Sequence, residues 1–392
     1  MTLQTESFVQ TYDVLIVGLG PAGSTAAYEL SKAGYSVLAF EKKSMPRYKP
    51  CGGGLSQRIE KILEPDFKEV VEQTIYGVHF TFKGNDDLHV ESSKPIAYMV
   101  MRDRFDALLA SKAKRAGTHI VEGETVLEIM DHSQGVEIRT AQRRYRGRYL
   151  IGADGANSMV ARRLFPDRRV YKTISLESEL PLGRMPDLDL RRKVLVDFER
   201  IPGGYGWIFP KQDKLSIGIA GFRMKRWDPH HYFHRFTKGQ GSLTGLPIPK
   251  PMGHPIPLFQ GPPPVLSRQR ILLAGDAASL VDPFFGEGIY YAVRSGQLAA
   301  ITLTNIFKNG HADLSEYDRM VSAEFYPEFR IASRLAFIVY AFPRLWYWVN
   351  KRHHEFIELY YDVLRGVMSY EGFVQEIKKA LKGMISLSWR LP

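Results

Sequence analysis

The chain has 392 residues, enough for two or three structural units, and its 44% hydrophobic and 24% charged residues exclude disorder as the default. A formal charge of +11 favours anionic partners such as lipid headgroups or phosphorylated substrates, or simply a solvated basic surface; no nucleic-acid partner is expected. The single cysteine, Cys51, excludes an intrachain disulfide and any multi-cysteine metal site and fits a reducing, cytoplasmic compartment.

The N-terminal residues lack the basic region of a signal peptide. Residues 13–17 (DVLIV) form a short apolar run that ends in glycine and reads as a buried strand. Residues 21–34 carry Ala, Leu and Lys at helical spacing and residues 36–41 read as a second strand, which completes a β-α-β unit. Residues 101–116 read as a helix, 149–153 and 271–274 as two further buried strands, 276 onward as a loop, and 289–307 as a long helix. Residues 75–89 and 172–221 alternate β-branched and aromatic residues, as in VHFTF and KLSIGIAG, and read as antiparallel sheet. Proline-rich runs at 247–257 and 262–264 mark the exit from that sheet. The expected fold is α/β. A Rossmann-like dinucleotide-binding domain (1–74, 98–167 and 262–330) would carry an inserted antiparallel-sheet substrate domain (75–97 and 168–261) and a helical C-terminal region (331–392).

Three features are read against a plainer alternative. The arginine-rich run at 143–148 reads as a solvated hairpin edge rather than a phosphate contact. His230, His231 and His234, like His353 and His354, read as exposed positions, and no metal is expected. Residues 335–349 mix aromatics with Arg344, near Lys351 and Arg352. No apolar stretch there or elsewhere reaches the roughly 18 residues of a membrane span. The segment suits a helix in the headgroup region, or one that covers a hydrophobic tunnel. A soluble or peripherally bound protein is expected.

The chemistry-bearing motifs sit at strand ends. Gly18-Leu19-Gly20-Pro21-Ala22-Gly23 follows the first strand and opens the first helix. Gly18 permits the tight turn, Gly20 lets backbone approach a pyrophosphate, and Gly23 lets helix and strand pack closely. The helix N-terminus offers unpaired N–H groups to phosphates. Glu41, with Lys42 beside it, ends the second strand. An acid there accepts the ribose hydroxyls and disfavours a 2′-phosphate, which points to NAD or FAD. Gly152-Ala153-Asp154-Gly155 ends a further strand. Ala274-Gly275-Asp276-Ala277-Ala278 ends another and is followed by Pro283 and Gly286-Glu287-Gly288-Ile289. Each alone reads as a turn. In this order the set resembles the large flavoprotein family that includes the aromatic hydroxylases. The resemblance implies FAD, with Asp276 on the ribityl chain, Asp154 and Pro283 on the cofactor side, and Gly286, Gly288 and Ile289 presenting backbone N–H groups to the flavin. A helix dipole there stabilises negative charge on the reduced ring.

Two further runs narrow the resemblance: Pro50-Cys51-Gly52-Gly53-Gly54-Leu55-Ser56, and Gly204-Tyr205-Gly206-Trp207-Ile208-Phe209-Pro210-Lys211. Together they resemble the geranylgeranyl reductase family, which saturates double bonds in isoprenoid chains. The resemblance runs from about residue 13 to 376, including Ser369-Tyr370-Glu371. It implies that Arg102 contacts the cofactor, that backbone near Val126 lies on the adenine side, and that Cys51 and Gly52 adjoin the flavin. The implied substrate is a geranylgeranyl group on a lipid, quinone, pigment or diphosphate, and the implied reductant is NADPH or a ferredoxin-like protein. Cys51 is a proton-donor candidate, because a free thiol of pKa about 8.5 is mostly protonated at neutral pH; alternatively it only packs beside the flavin. Tyr205, Trp207 and Phe209 alternate, so on a strand they share a face and form either an aromatic wall for an apolar chain or ordinary core. A flavin monooxygenase and a non-catalytic prenyl-binding escort protein are the alternative functions.

Overall fold

The computed structural model describes residues 10–84, 86–168, 170–182, 190, 192–222, 227–261 and 265–388; residues 1–9 and 183–189 and the prolines at 262–264 lie outside it. The described residues build three sheets. The eight-stranded sheet runs, in space, Ser267–Arg268, Ile271–Leu273, Arg144–Gly152, Thr11–Val17, Val37–Glu41, His119–Glu122, with Glu128–His132 and Gly135–Arg139 as a hairpin off the long strand. Its central pairs are parallel. Val14, Leu15 and Ile16 are fully buried, as in a strand covered on both faces. The helix Pro21–Lys32 packs on this sheet and against Ile289–Asn309. Gly296 makes that approach: a Cβ there would stand 2.4 Å from the Ala22 carbonyl oxygen.

The arginine-rich run is not a sheet edge. Arg146 has Thr11 on one side and Glu137 on the other. The charge is accommodated by alternation: Tyr145 and Gly147 are buried, while Arg144 and Arg146 leave the sheet to reach Glu137 at 3.3 and 3.1 Å. Residues 275–278 form a short helical turn where a loop was expected.

The seven-stranded sheet runs Met252–Pro257, Lys172–Pro181, Lys214–Gly221, Gly204–Pro210, Lys193–Phe198, Gly77–Phe82, Asp86–Glu91. It departs from the expected antiparallel pattern at one pair: Lys193–Phe198 and Gly77–Phe82 are parallel. The chain enters this sheet twice, and a long excursion through the other sheet removes the hairpin constraint that enforces antiparallel pairing. A third, three-stranded sheet (Gly54–Ser56, Ala97–Val100, Val71–Ile75) joins the two larger ones.

Four helices close the chain: Ser315–Ala341, Pro343–Arg352, Glu355–Leu364 and Tyr370–Ser388. Ser315–Ala341 serves both cores. Tyr317, Val321, Phe325 and Phe329 pack with the first sheet, and Ala332, Ala336, Val339 and Tyr340 with the second. Glu355–Leu364 is stitched to the strands beneath it. The Tyr361 hydroxyl donates to the Val90 carbonyl (2.8 Å) and accepts from the Val78 N–H (3.1 Å). Among the described residues, no helix is long and apolar enough to cross a membrane.

Candidate functional site

One cavity of about 290 Å³, partly open to solvent, lies between the two large sheets. Its two halves differ in chemistry.

The first half is a polar cradle. Gly20, Pro21, Ala22, Arg102 and Asp276 line it, as do Gly286, Gly288 and Ile289. Two helix N-termini open onto it, those of Pro21–Lys32 and Ile289–Asn309. Both are capped by glycine without a side-chain cap bond, and neither has an acid in its first turn. Their free N–H groups and dipoles are left for an anionic ligand. A Cβ on Gly20 would meet only an Arg47 guanidinium nitrogen, at 3.8 Å, so that surface is open. Gly18 and Gly23 lie behind it and serve packing. A Cβ on Gly23 would stand 1.9 Å from the Gly18 carbonyl oxygen, and Gly18 itself has φ +98° against the Ala153 carbonyl.

Glu41 is buried at its strand end. It accepts from the Leu19 N–H (3.3 Å) and pairs with Arg47 Nε (3.1 Å). Arg47 continues to Asp106 (3.0 Å), which Arg102 holds with two bonds of 2.8 Å. Lys49 reaches Asp276 at 3.5 Å. The His254 imidazole also lines this half, and its Nε2 is buried without a hydrogen-bond partner. Two uncapped helix N-termini, an open glycine surface and an orphaned ring nitrogen fit a bound dinucleotide such as FAD.

The second half is apolar. Val78, Phe80, Val194, Val196, Tyr205, Trp207 and Phe209 line it from three adjacent strands of the seven-stranded sheet, with Ile75 beside them and Tyr360, Tyr361 and Leu364 from the helix Glu355–Leu364. Tyr205 donates to the Phe285 carbonyl (2.6 Å). The aromatic rings follow one another at 5.9 and 6.0 Å between centroids.

The glycine-rich loop lies where the halves meet. Gly52 faces the aromatic wall, and a Cβ there would stand 2.9 Å from Phe209 and 3.1 Å from Trp207 Nε1. Gly53 takes φ +64° with the Val100 carbonyl 2.0 Å from where a Cβ would be, so only glycine fits. Lys211, almost fully buried, fastens the loop by donating to the carbonyls of Gly52 (2.7 Å) and Val100 (3.0 Å); burial pushes its pKa down to about 8. Cys51 lies on the cavity wall, accepts from the Gly53 N–H at 3.4 Å, and faces the Arg102 guanidinium.

Several residues singled out in the sequence stand away from the wall. Lys42 is exposed and Val126 is core. Pro283 is buried within its loop. The Asp154 carboxylate is spent on the helix Met159–Leu164, accepting from the Met159 N–H (2.6 Å) and from Ser158 (2.5 Å). Conversely, Arg47, Lys49, Lys211, His254 and Asp282 had drawn no functional reading. For Arg47 and Lys49 the available signal was a short spacer between Glu41 and Cys51 that carries four cations, Lys42, Lys43, Arg47 and Lys49. Among the described residues, one cluster has metal-ligand chemistry, His79, Asp87 and His89, on the outer face of the hairpin and away from the cavity wall.

Three buried carboxyls, of which Asp282 lines the cavity, are held well above the ordinary range. Burial pushes Glu177 up to about 7 despite bonds from Tyr48 and Ser216, and pushes Asp282 and Asp197 up to about 6. An acid with a raised folded pKa binds more protons native than unfolded, so its contribution is lost as pH rises. For Glu177 that contribution is full below 4.5 and lost through about 7. Stability to urea is therefore expected to fall from about pH 5 to about pH 8, and Glu177→Gln to flatten that slope; an unchanged slope would contradict the assignment.

Residues 11–180 match the family described as FAD binding domain. The chain is 30% identical to a digeranylgeranylglycerophospholipid reductase of Thermoplasma volcanium, over 81% of this chain and 85% of that protein. It is 27% identical to a geranylgeranyl diphosphate reductase of Synechocystis sp., over 92% and 91%. The solved structure of a geranylgeranyl bacteriochlorophyll reductase-like protein from Thermoplasma acidophilum superposes with a TM-score of 0.74 at 24% identity, covering 84% of this chain and 88% of that one, and thus shares the fold. The chain belongs to the geranylgeranyl reductase family of FAD-dependent oxidoreductases.

Proposed function

We propose that this protein saturates carbon–carbon double bonds in a geranylgeranyl or related isoprenoid chain carried on a lipid or a diphosphate. One observation carries the reading: the polar cradle and the aromatic-walled apolar pocket are a single cavity that meets at the Cys51–Gly53 loop. A chain in the apolar half lies against whatever the cradle holds.

FAD, once reduced, supplies the hydride equivalent. In this reading Gly20 and the Pro21–Lys32 N-terminus take the pyrophosphate, Glu41 the adenosine ribose, Asp276 the ribityl chain, and Gly286 to Ile289 the flavin edge. Tyr205, Trp207 and Phe209 orient the isoprenoid chain. Tyr360, Tyr361 and Leu364 keep water from it. Cys51 donates the proton from Sγ, and the Arg102 guanidinium complements the charge left on sulfur. Each bond reduced thus gains one hydride and one proton. NADPH or a ferredoxin-like protein restores the reduced cofactor.

The reading is tested anaerobically with the dithionite-reduced holoprotein and a geranylgeranyl lipid. The expected product is heavier by two hydrogens per reduced bond, and Cys51→Ala lowers turnover about 10²-fold at unchanged flavin content. An oxygenated product formed only in air would establish a monooxygenase instead, and full turnover in Cys51→Ala would remove the thiol from the reaction.

The substrate's chemistry also fits a peripheral membrane contact. Phe337, Ile338, Phe342, Leu345 and Trp348 are each more than half exposed around the junction of the Ser315–Ala341 and Pro343–Arg352 helices. Arg344 and Lys351 flank them, paired with Glu199 and Asp86, and Arg352 stacks on Trp348 at 3.8 Å. Exposed aromatic and aliphatic side chains with Arg352 beside them suit an anionic lipid surface. Vesicles containing anionic lipid are expected to sediment the protein, and the pair Leu345→Glu and Trp348→Glu to abolish this; equal sedimentation of the variant would exclude this face.

A further inference from the structure

The strand Met252–Pro257 forms one edge of the seven-stranded sheet and, among the described residues, pairs with Lys172–Pro181 alone, Ser175 opposite His254. The Ser175 hydroxyl also donates to the His254 carbonyl (3.1 Å), which fixes the backbone at that residue. Yet the His254 side chain belongs electrostatically to the other sheet. Lys49, Asp276, Arg102 and Lys42 are the charges that act on it, and all four come from the cofactor side. Burial first and Lys49 second push its pKa down to about 4, so the imidazole is neutral at neutral pH. His254 is one of the residues that line the cavity, and its Nε2 is buried with no hydrogen-bond partner among the described residues. A buried, unpaired ring nitrogen is a desolvation cost that a ligand atom relieves.

We propose that His254 Nε2 hydrogen-bonds the bound FAD beside Asp276 and Lys49, so that the cofactor ties the edge strand of the substrate-side sheet to the dinucleotide-binding sheet. The inference rests on the FAD reading of the cradle and adds a consequence to it. Pro255 and Ile256, the next two residues of that strand, line the same cavity. Anchoring His254 therefore fixes part of the wall seen by the second ligand. Cofactor loading and isoprenoid binding become coupled, each favouring the other.

The test uses the full-length protein freed of FAD and reconstituted. FAD binding is followed by quenching of flavin fluorescence, and amide hydrogen exchange of residues 252–257 is compared with that of residues 18–23. In the wild type, FAD is expected to protect both segments. In His254→Ala the affinity falls about tenfold and protection of 252–257 is lost, while protection of 18–23 persists. His254→Gln, which keeps a polar group, recovers part of both. Because Nε2 has no partner without the cofactor, the His254→Ala apoprotein melts no lower than wild type, which separates loss of a ligand bond from misfolding. Wild-type FAD affinity and protection in His254→Ala would overturn the proposal. So would unchanged FAD affinity with a raised KM for the geranylgeranyl lipid, which would place His254 on the substrate side. A wild-type protein that takes up no FAD would overturn the cofactor reading itself, a result distinguishable from failure of His254 alone.

Discussion

The geometry of the site hangs on a buried chain of alternating charges, Glu41–Arg47–Asp106–Arg102. Its links measure 3.1 Å from Arg47 to Glu41, 3.0 Å from Arg47 to Asp106, and 2.8 Å twice from Arg102 to Asp106. It joins the end of a parallel strand, a loop, and the first turn of the helix Arg102–Arg115. Asp106 is wholly buried, and a charge in that position is tolerable only with its partners in place; removing one partner leaves the others uncompensated, at a cost of about 3–5 kcal/mol. The chain thereby pins the loop that begins after Glu41. Lys49 is delivered to Asp276, Cys51 to the face of Arg102, and Gly52 to the rings of Trp207 and Phe209. Lys211 then locks the loop's far end from the second sheet.

From that anchored loop the cavity divides cleanly. On one side stand helix N-termini, glycine backbone and paired ions, an arrangement suited to a charged dinucleotide. On the other stand aliphatic and aromatic side chains, suited to a hydrocarbon chain. The dry side would open to solvent if the sheet were left bare. The Glu355–Leu364 helix prevents this, because the Tyr361 hydroxyl bonds backbone in both strands of the hairpin below it. The helical region is therefore part of the pocket rather than an appendage.

Much of this was legible in the sequence, for reasons particular to glycine and to alternation. Gly18, Gly23 and Gly53 sit where backbone conformation or close approach admits no other residue, so their motifs carry structural information on their own. Tyr205, Trp207 and Phe209 share a face because a strand has a period of two. What stayed hidden depends on contacts distant in the chain. An aspartate at a strand end looks the same whether it faces a ligand or, like Asp154, caps the next helix. Arg47 has meaning only once Asp106 is beside it, and His254 sits in a proline-rich run that looks like a linker. The parallel pairing of Gly77–Phe82 with Lys193–Phe198 likewise follows from topology, which local pattern does not encode.

The proposed function requires the cradle and the apolar pocket to bring a reduced cofactor and an isoprenoid chain into contact within one cavity. The most direct test is a single-turnover experiment under strict anaerobiosis: the flavin is reduced with dithionite, geranylgeranyl diphosphate is mixed in, and the flavin absorbance is followed in time. The flavin is expected to reoxidise without oxygen, with one equivalent of double bond saturated per flavin, and Trp207→Ala to slow the reoxidation. A flavin that stays reduced with geranylgeranyl diphosphate and with a geranylgeranyl lipid alike, and reoxidises only when air is admitted, would contradict it.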